Sequence, residues 1–212
     1  MLARVRRGGV TEPAVLNALA AVPREEFVAE GYEEVAYADR ALPIGYRQTI
    51  SQPLMVGIMV QALSLKPGDR ALDVGTGSGY MAAVMAACGA RVVGVERLAG
   101  LARAARSRFA RLGIDVEVVV GDGSAGLPGH GPFDAIAVGA AAPQPPLALL
   151  ESLTPGGRLV VPVRGGHDGR QHGERLLRYQ RAVEGSAAKV DDICGCRFVR
   201  LVGAAGYAAE EG

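Results

Sequence analysis

From residue 71 to residue 163 the chain alternates short apolar runs with segments of helical period, and this alternation constrains the fold most. Residues 71–74, 91–95, 116–120, 133–138 and 158–163 read as strands. Residues 80–88, 98–112 and 145–153 read as helices between them. Strands alternating with helices predict βαβ units and a mostly parallel sheet covered on both faces. The expected fold class is therefore α/β, a doubly wound Rossmann-like sheet. Upstream, 11–22 reads as a short amphipathic helix with Thr11 as N-cap and Pro13 in its first turn, and 54–64 as a buried helix. Residues 31–53 show no sustained period and are expected to be a long ordered loop. Downstream, 175–183 and 196–202 are strand candidates, preceded by a Gly-rich polar linker at 165–173.

Composition narrows the function classes. At 212 residues a single domain is expected. Lys plus Arg is 23 and Asp plus Glu is 22, so the net charge is +1. That balance lacks the basic excess of a dedicated nucleic-acid binder. With 6 Tyr, 4 Phe and no Trp, a stacking platform for single strands is not expected either. No apolar run reaches the ~18 residues of a membrane span. The basic start followed by an apolar stretch superficially imitates a signal peptide, but Glu12 and Asn17 interrupt it. Cys88, Cys194 and Cys196 are odd in number and form no disulfide framework, so a cytoplasmic location is expected. His130, His167 and His172 match no metal spacing, and no metal is expected.

The sharpest local signal is Asp73-Val74-Gly75-Thr76-Gly77-Ser78-Gly79-Tyr80, where the first strand of the alternating region meets a helix. Glycines there let a ligand approach the backbone, and the helix that follows begins with free N–H groups. The spacing is G-x-G-x-G, not the G-x-G-x-x-G of dinucleotide enzymes, and no Gly-Lys-Ser/Thr of a P-loop follows. The second strand ends in Val95-Glu96, where a carboxylate can accept hydrogen bonds from two ribose hydroxyls. The third ends in Gly121-Asp122-Gly123, where Asp122 is placed for an adenine amino group. Open α/β sheets bind ligands at these C-terminal strand ends. The three elements together resemble the nucleoside-binding half of S-adenosylmethionine-dependent methyltransferases. Binding of a nicotinamide cofactor is the nearest rival.

Three further strings carry a more specific resemblance. They are Ala41-Leu42-Pro43-Ile44-Gly45-Tyr46-Arg47-Gln48-Thr49-Ile50-Ser51-Gln52-Pro53, Val22-Pro23-Arg24-Glu25-Glu26-Phe27-Val28 and Gly139-Ala140-Ala141-Ala142-Pro143. In them the chain resembles the protein-L-isoaspartate (D-aspartate) O-methyltransferase family, from about residue 14 to about residue 202. The resemblance implies a methyltransferase sheet of about seven strands whose last strands have an altered order. It implies S-adenosyl-L-methionine as donor and isoaspartyl-containing proteins and peptides as substrates, without nucleic acid or membrane partners, in a protein expected to be monomeric. It divides the single domain into N-terminal helices and a substrate loop (1–62), a nucleoside-binding core (63–163) and C-terminal strands (164–212). It places the catalytic serine at Ser51. It assigns the cofactor to Gly75, Thr76, Gly77, Ser78, Gly79, Glu96, Asp122 and Gly123. Gln48, Thr49, Ile50, Ala140 and Ala141 are candidate liners of the substrate groove.

Alternatives remain beside each of these. Ser51 could instead cap the helix at Pro53, and Gln48 and Thr49 could simply satisfy a turn. Arg103, Arg106, Arg108 and Arg111 read as a solvated helix face, and Cys194-Gly195-Cys196 as strand-edge packing. Arg47, Glu174 and Arg200 depart from the family's usual residues. Arg47 either borders the groove and favours acidic flanking residues or points into water. A relative that methylates a normal aspartate in one dedicated natural-product precursor is the alternative function. A catalytically silent S-adenosylmethionine-binding module is the alternative from another class.

Overall fold

The structure, a computed structural model, describes residues 1–167, 172–185 and 187–208. Helices α1 (Leu2–Arg7) and α2 (Pro13–Ala21) lead into single 3₁₀ turns at Arg24–Phe27 and Glu33–Val35. An antiparallel hairpin of β1 (Leu42–Gly45) and β2 (Gln48–Ile50) follows, then α3 (Pro53–Leu63). The alternating region supplies β3 (Arg70–Val74), α4 (Tyr80–Ala87), β4 (Arg91–Glu96), α5 (Ala99–Leu112), β5 (Val116–Val120) and β6 (Phe133–Val138). It continues through α6 (Leu147–Glu151) and β7 (Leu153–Arg164) to the terminal strands β8 (Glu174–Gln180) and β9 (Lys189–Cys196).

The main sheet has the order β5-β4-β3-β6-β7-β8-β9. Pairings from β5 through β7 are parallel, and β8 and β9 are added antiparallel. The chain starts in the middle, winds outward to β5, and returns through β6 to the other edge. Successive side chains on a strand face opposite ways, so each strand serves two cores. Ala71, Ala135 and Ala137 join the cluster containing Leu19, Met59 and Met85 from α2, α3 and α4. Leu72, Ile136 and Val138 join the cluster containing Leu149 from α6. The small alanines leave room for helices to lie close to the sheet.

Four expectations need correction. The helix after Thr11 begins at Pro13 with Glu12 as N-cap and no side-chain cap. Instead the Gln61 side chain of α3 accepts the N–H groups of Thr11 and Glu12 at 2.7 and 3.0 Å. Residues 31–53 are not only loop, because they hold the hairpin. The last strand is Lys189–Cys196 rather than 196–202. Its exposed, charged start resembles a loop in sequence, but Asp191 and Asp192 pair across to Arg178 and Arg175 at 3.0 and 2.7 Å. The arginines of α5 are not all solvated. Arg108 donates to the Ser78 carbonyl at 2.7 Å and also to the Glu26 carbonyl, and Arg106 donates to the Val118 carbonyl at 2.8 Å. Residues 168–171 of the linker lie outside the described residues.

Candidate active site

The C-terminal ends of β3, β4, β5 and β6 converge on a cavity of about 400 Å³. Gly75, Gly77, Glu96, Asp122, Gly123 and Ala140 line it, with Ile44, Gln48 and Thr49 of the hairpin and residues 199–202 opposite. The glycine turn is tied down from the next strand. The Val95 carbonyl accepts the Gly75 and Thr76 N–H groups at 2.9 and 3.2 Å. The Glu96 carboxylate accepts the N–H of Gly77 and that of Leu98, each at 2.9 Å. Glu96 is only 5% exposed. Each carboxylate oxygen keeps a further lone pair, so Glu96 can serve the turn and a ligand hydroxyl together.

Gly77 and Gly79 need their lack of a side chain. Their φ values are 56° and 94°, in the left-handed region. A Cβ on Gly79 would also lie 2.5 Å from the Phe109 ring. Gly79 therefore shapes the turn and caps α4 and does not line the cavity. Thr76 and Ser78 are buried beneath the turn, and the Thr76 hydroxyl donates to the Asp73 carbonyl at 3.0 Å. Both instead line a small neighbouring space of about 40 Å³ with Ser51 and Ile50.

Asp122 is exposed, and its carboxylate accepts the Ser124 and Ala204 N–H groups at 2.8 and 2.7 Å. Burial opposes its ionisation, but those donors outweigh it and hold the carboxyl below its ordinary value. Gly123 admits no side chain, because a Cβ there would sit 2.4 Å from Val95. Asp73 lies behind the turn, fully buried, and neither carboxylate oxygen has a hydrogen-bond partner among the described residues. Burial pushes its carboxyl up to about 7.

A second groove of about 240 Å³ adjoins the cavity and is lined by Thr49, Ser51, Gly139 and residues 195–199. Ser51 is half-buried. It does not cap α3, whose N-cap is Gln52 without a side-chain bond. The Ser51 hydroxyl has no hydrogen-bond partner among the described residues, so it is free to donate to a ligand. Thr49 and Gly139 line the cavity, the groove and the small space between them, which marks their junction. The Gln48 amide donates to the Tyr46 carbonyl at 3.2 Å and also lines the cavity. Ile50 is buried with the core. Ala141 lines neither cavity nor groove; its backbone pairs with Val199 and Leu201 at 2.7 and 2.8 Å and fixes the segment that roofs the cavity.

A sequence model described as protein-L-isoaspartate(D-aspartate) O-methyltransferase matches residues 1–206. The chain belongs to this family. Two relatives agree. Protein-L-isoaspartate O-methyltransferase 1 of Geotalea uraniireducens is 48% identical over 200 residues, covering 94% of this chain and 89% of the relative. Protein-L-isoaspartate O-methyltransferase 2 of Pelobacter propionicus is 50% identical over 200 residues, covering 94% and 87%. A solved protein-L-isoaspartate O-methyltransferase superposes with a TM-score of 0.83 at 27% identity, over 97% of this chain and 66% of that one. A Plasmodium falciparum structure described as the same kind of enzyme, in complex with S-adenosyl-L-homocysteine, gives a TM-score of 0.78 at 26% identity over 95% and 96%. This family member is accordingly a methyltransferase with a Rossmann-like sheet.

The family departures are also placed. Arg47 lines neither cavity nor groove. It is exposed in the hairpin turn with φ 57°, next to Tyr46 at 51°, in the left-handed region where glycine is usual. Glu174 accepts the Phe198 N–H at 2.7 Å and anchors the groove wall. The Arg200 guanidinium lies 5.3 Å from the Tyr207 ring centre. Sequence reasoning missed Arg24, Gly139 and the exposed Arg197 of the groove wall. The strings that carried the resemblance contained Arg24 and Gly139, but nothing local marked either as part of a site.

Proposed function

We propose that this protein transfers a methyl group from S-adenosyl-L-methionine to the free carboxylate of an L-isoaspartyl residue in damaged proteins and peptides, as the first step of repair through a succinimide. The observation that carries the reading is the unengaged Ser51 hydroxyl, set where an open groove meets the glycine-turn cavity. When bound, the donor supplies an electrophilic sulfonium methyl group. The residues present fit it. The turn exposes glycine backbone to the cavity, Glu96 retains lone pairs toward it for ribose hydroxyls, and Asp122 lies on its adenine side.

The chain's own residues then have little proton chemistry to do. A substrate carboxylate has a reference pKa near ~4 and is already ionised at neutral pH. No general base is required, and none lines the junction among the described residues. Ser51 donates to one carboxylate oxygen and aims the other, so that rate comes from alignment. Thr49 and Gly139 flank the meeting point, and Gly139 carries no side chain to obstruct it. Ile44 packs over the turn, and a Cβ on Gly77 would be 3.0 Å from it, which helps exclude water. In the methyl ester product, the neighbouring peptide nitrogen displaces methanol to close the succinimide, and hydrolysis opens that ring partly to normal aspartate.

We place the protein in the cytoplasm as a monomer. Its three cysteines are free, which suits a reducing compartment. Among the described residues no helix is long and apolar enough to cross a membrane. Transfer of labelled methyl to paired peptides that differ only in isoaspartyl or aspartyl linkage tests the reading. Label is expected in the isoaspartyl peptide alone, and preference for the aspartyl peptide would overturn it.

A further inference from the structure

Arg24 is fully buried, although arginine is among the side chains least often found so. Its guanidinium donates to the Ala36 carbonyl at 2.8 Å and to the Ser51 carbonyl at 2.7 Å. Its central carbon lies 4.7 Å from the centre of the Tyr80 ring. Tyr80 is the first residue of α4, directly after the glycine turn, and it too is buried. The remaining guanidinium nitrogen and the Tyr80 hydroxyl have no hydrogen-bond partner among the described residues. Among the described residues no carboxylate makes ion-pair contact with the guanidinium; burying such a cation is costly, and an apolar side chain of similar volume would fill the space without that cost. What only the guanidinium provides is a rigid fork that holds two loop carbonyls while its face rests on an aromatic ring.

We propose that Arg24 is a positioning residue, which sets the Ser51 hydroxyl in register with the glycine turn by gripping the serine's own carbonyl and bracing against Tyr80. The proposal rests on the methyl-transfer reading and adds the device that brings its two halves together. Ser51 sits in the short link between β2 and α3, and its hydroxyl is not anchored, so the carbonyl contact is what restrains it. The turn does not depend on Arg24, because Val95 and Glu96 hold it independently.

The test is a double-mutant cycle. Arg24→Lys keeps the charge but cannot fork to both carbonyls. It is expected to lower kcat on an isoaspartyl peptide by about 10- to 100-fold, as for a small misalignment of reacting groups. Affinity for S-adenosyl-L-homocysteine should change by less than about threefold. In a Ser51→Ala background the same substitution should lower kcat by less than about twofold, because no hydroxyl is left to position. Should the lysine variant not fold, Arg24→Gln carries the same expectation. A kcat loss of equal size in both backgrounds would make Arg24 a core residue and overturn the proposal, as would an unchanged kcat. A wild type silent on the isoaspartyl peptide would overturn only the functional reading. Arg24 is then judged by amide hydrogen exchange, expected to quicken by about tenfold or more at 49–52 and to stay unchanged at 75–79. Equal quickening in both segments, or none, would overturn the positioning role.

Discussion

At the cofactor end of the cavity, the N–H groups of Gly75, Thr76, Gly77 and Gly79 all have partners. At the substrate end, the Ser51 hydroxyl has none among the described residues. The cofactor end is drawn mainly from one stretch of chain, residues 73–123, braced by adjacent parallel strands and closed over by Ile44, Gln48 and residues 199–202. The substrate end is gathered from residue 24, from 49–51, from 139 and from 195–199. The contrast suits ligands of different constancy. A single cofactor meets a rigid site with little reorganisation on binding. Substrates that share only an isoaspartyl linkage meet open donors and an open groove. The two ends should therefore fail in different ways when altered.

The largest effect is expected at Glu96. Glu96→Ala removes a charged acceptor from two backbone N–H groups as well as from the proposed ribose contact, at ~1.5–3 kcal/mol each. Affinity for S-adenosyl-L-homocysteine should fall by about a hundredfold or more in calorimetric titration. A loss below about tenfold would mean that Val95 alone holds the turn, and the cofactor end would be less tightly braced than its hydrogen bonds suggest.

Ser51→Ala should do the converse. It is expected to lower kcat by about 10- to 100-fold, as for one hydrogen bond to a charged group, while cofactor affinity stays within about twofold. Turnover at the wild-type level would reduce the serine to part of the groove wall. A matching loss of affinity would merge the two ends into one unit.

Asp73 sharpens the comparison from the other side, as an unsatisfied group at the otherwise satisfied end. Its folded pKa of about 7 lies above the ordinary 3.8, so the native state keeps a proton that the unfolded chain releases. Its contribution to stability is full below about pH 4, falls as the pH rises to about 7, and levels off above that. Asp73→Asn should remove this loss. Relative to wild type, the variant should gain about 1–2 kcal/mol between pH 5 and pH 7 in denaturant unfolding. Parallel pH profiles for the two proteins would show that the carboxylate is solvated or paired.

The smallest effect is expected at the hairpin turn. Arg47→Gly relieves a left-handed backbone and should raise stability by about 0.5–1 kcal/mol. The ratio of kcat/KM for peptides with acidic and neutral flanks should not change, because Arg47 does not line the groove. An acidic preference that the glycine variant loses would bring the hairpin tip into the substrate end.

Much of the cofactor end was legible in the sequence because its determinants are local. A strand's period, a glycine run at its end and an acid at the end of the next strand are set within a few residues of one another. The sheet followed from the same period, and the serine from a distinctive string. What escaped notice depended on contacts distant in sequence. Residues 196–202 look like a strand because Phe198, Val199 and Leu201 are apolar, yet 196–199 wall the groove and 199–202 roof the cavity, and the ladder is made by the charged residues before them. Arg108 looked solvated because its helix carries other arginines, but only the packed fold brings the Ser78 and Glu26 carbonyls to it. Arg24 stands in a charged string and reads as surface. The sequence by itself determined the local pattern of strands, turns and charged strand ends, because those depend on backbone period and turn chemistry. Only the tertiary structure decided that Arg24 is buried and grips Ser51, because the fate of a charge depends on which distant carbonyls fold around it.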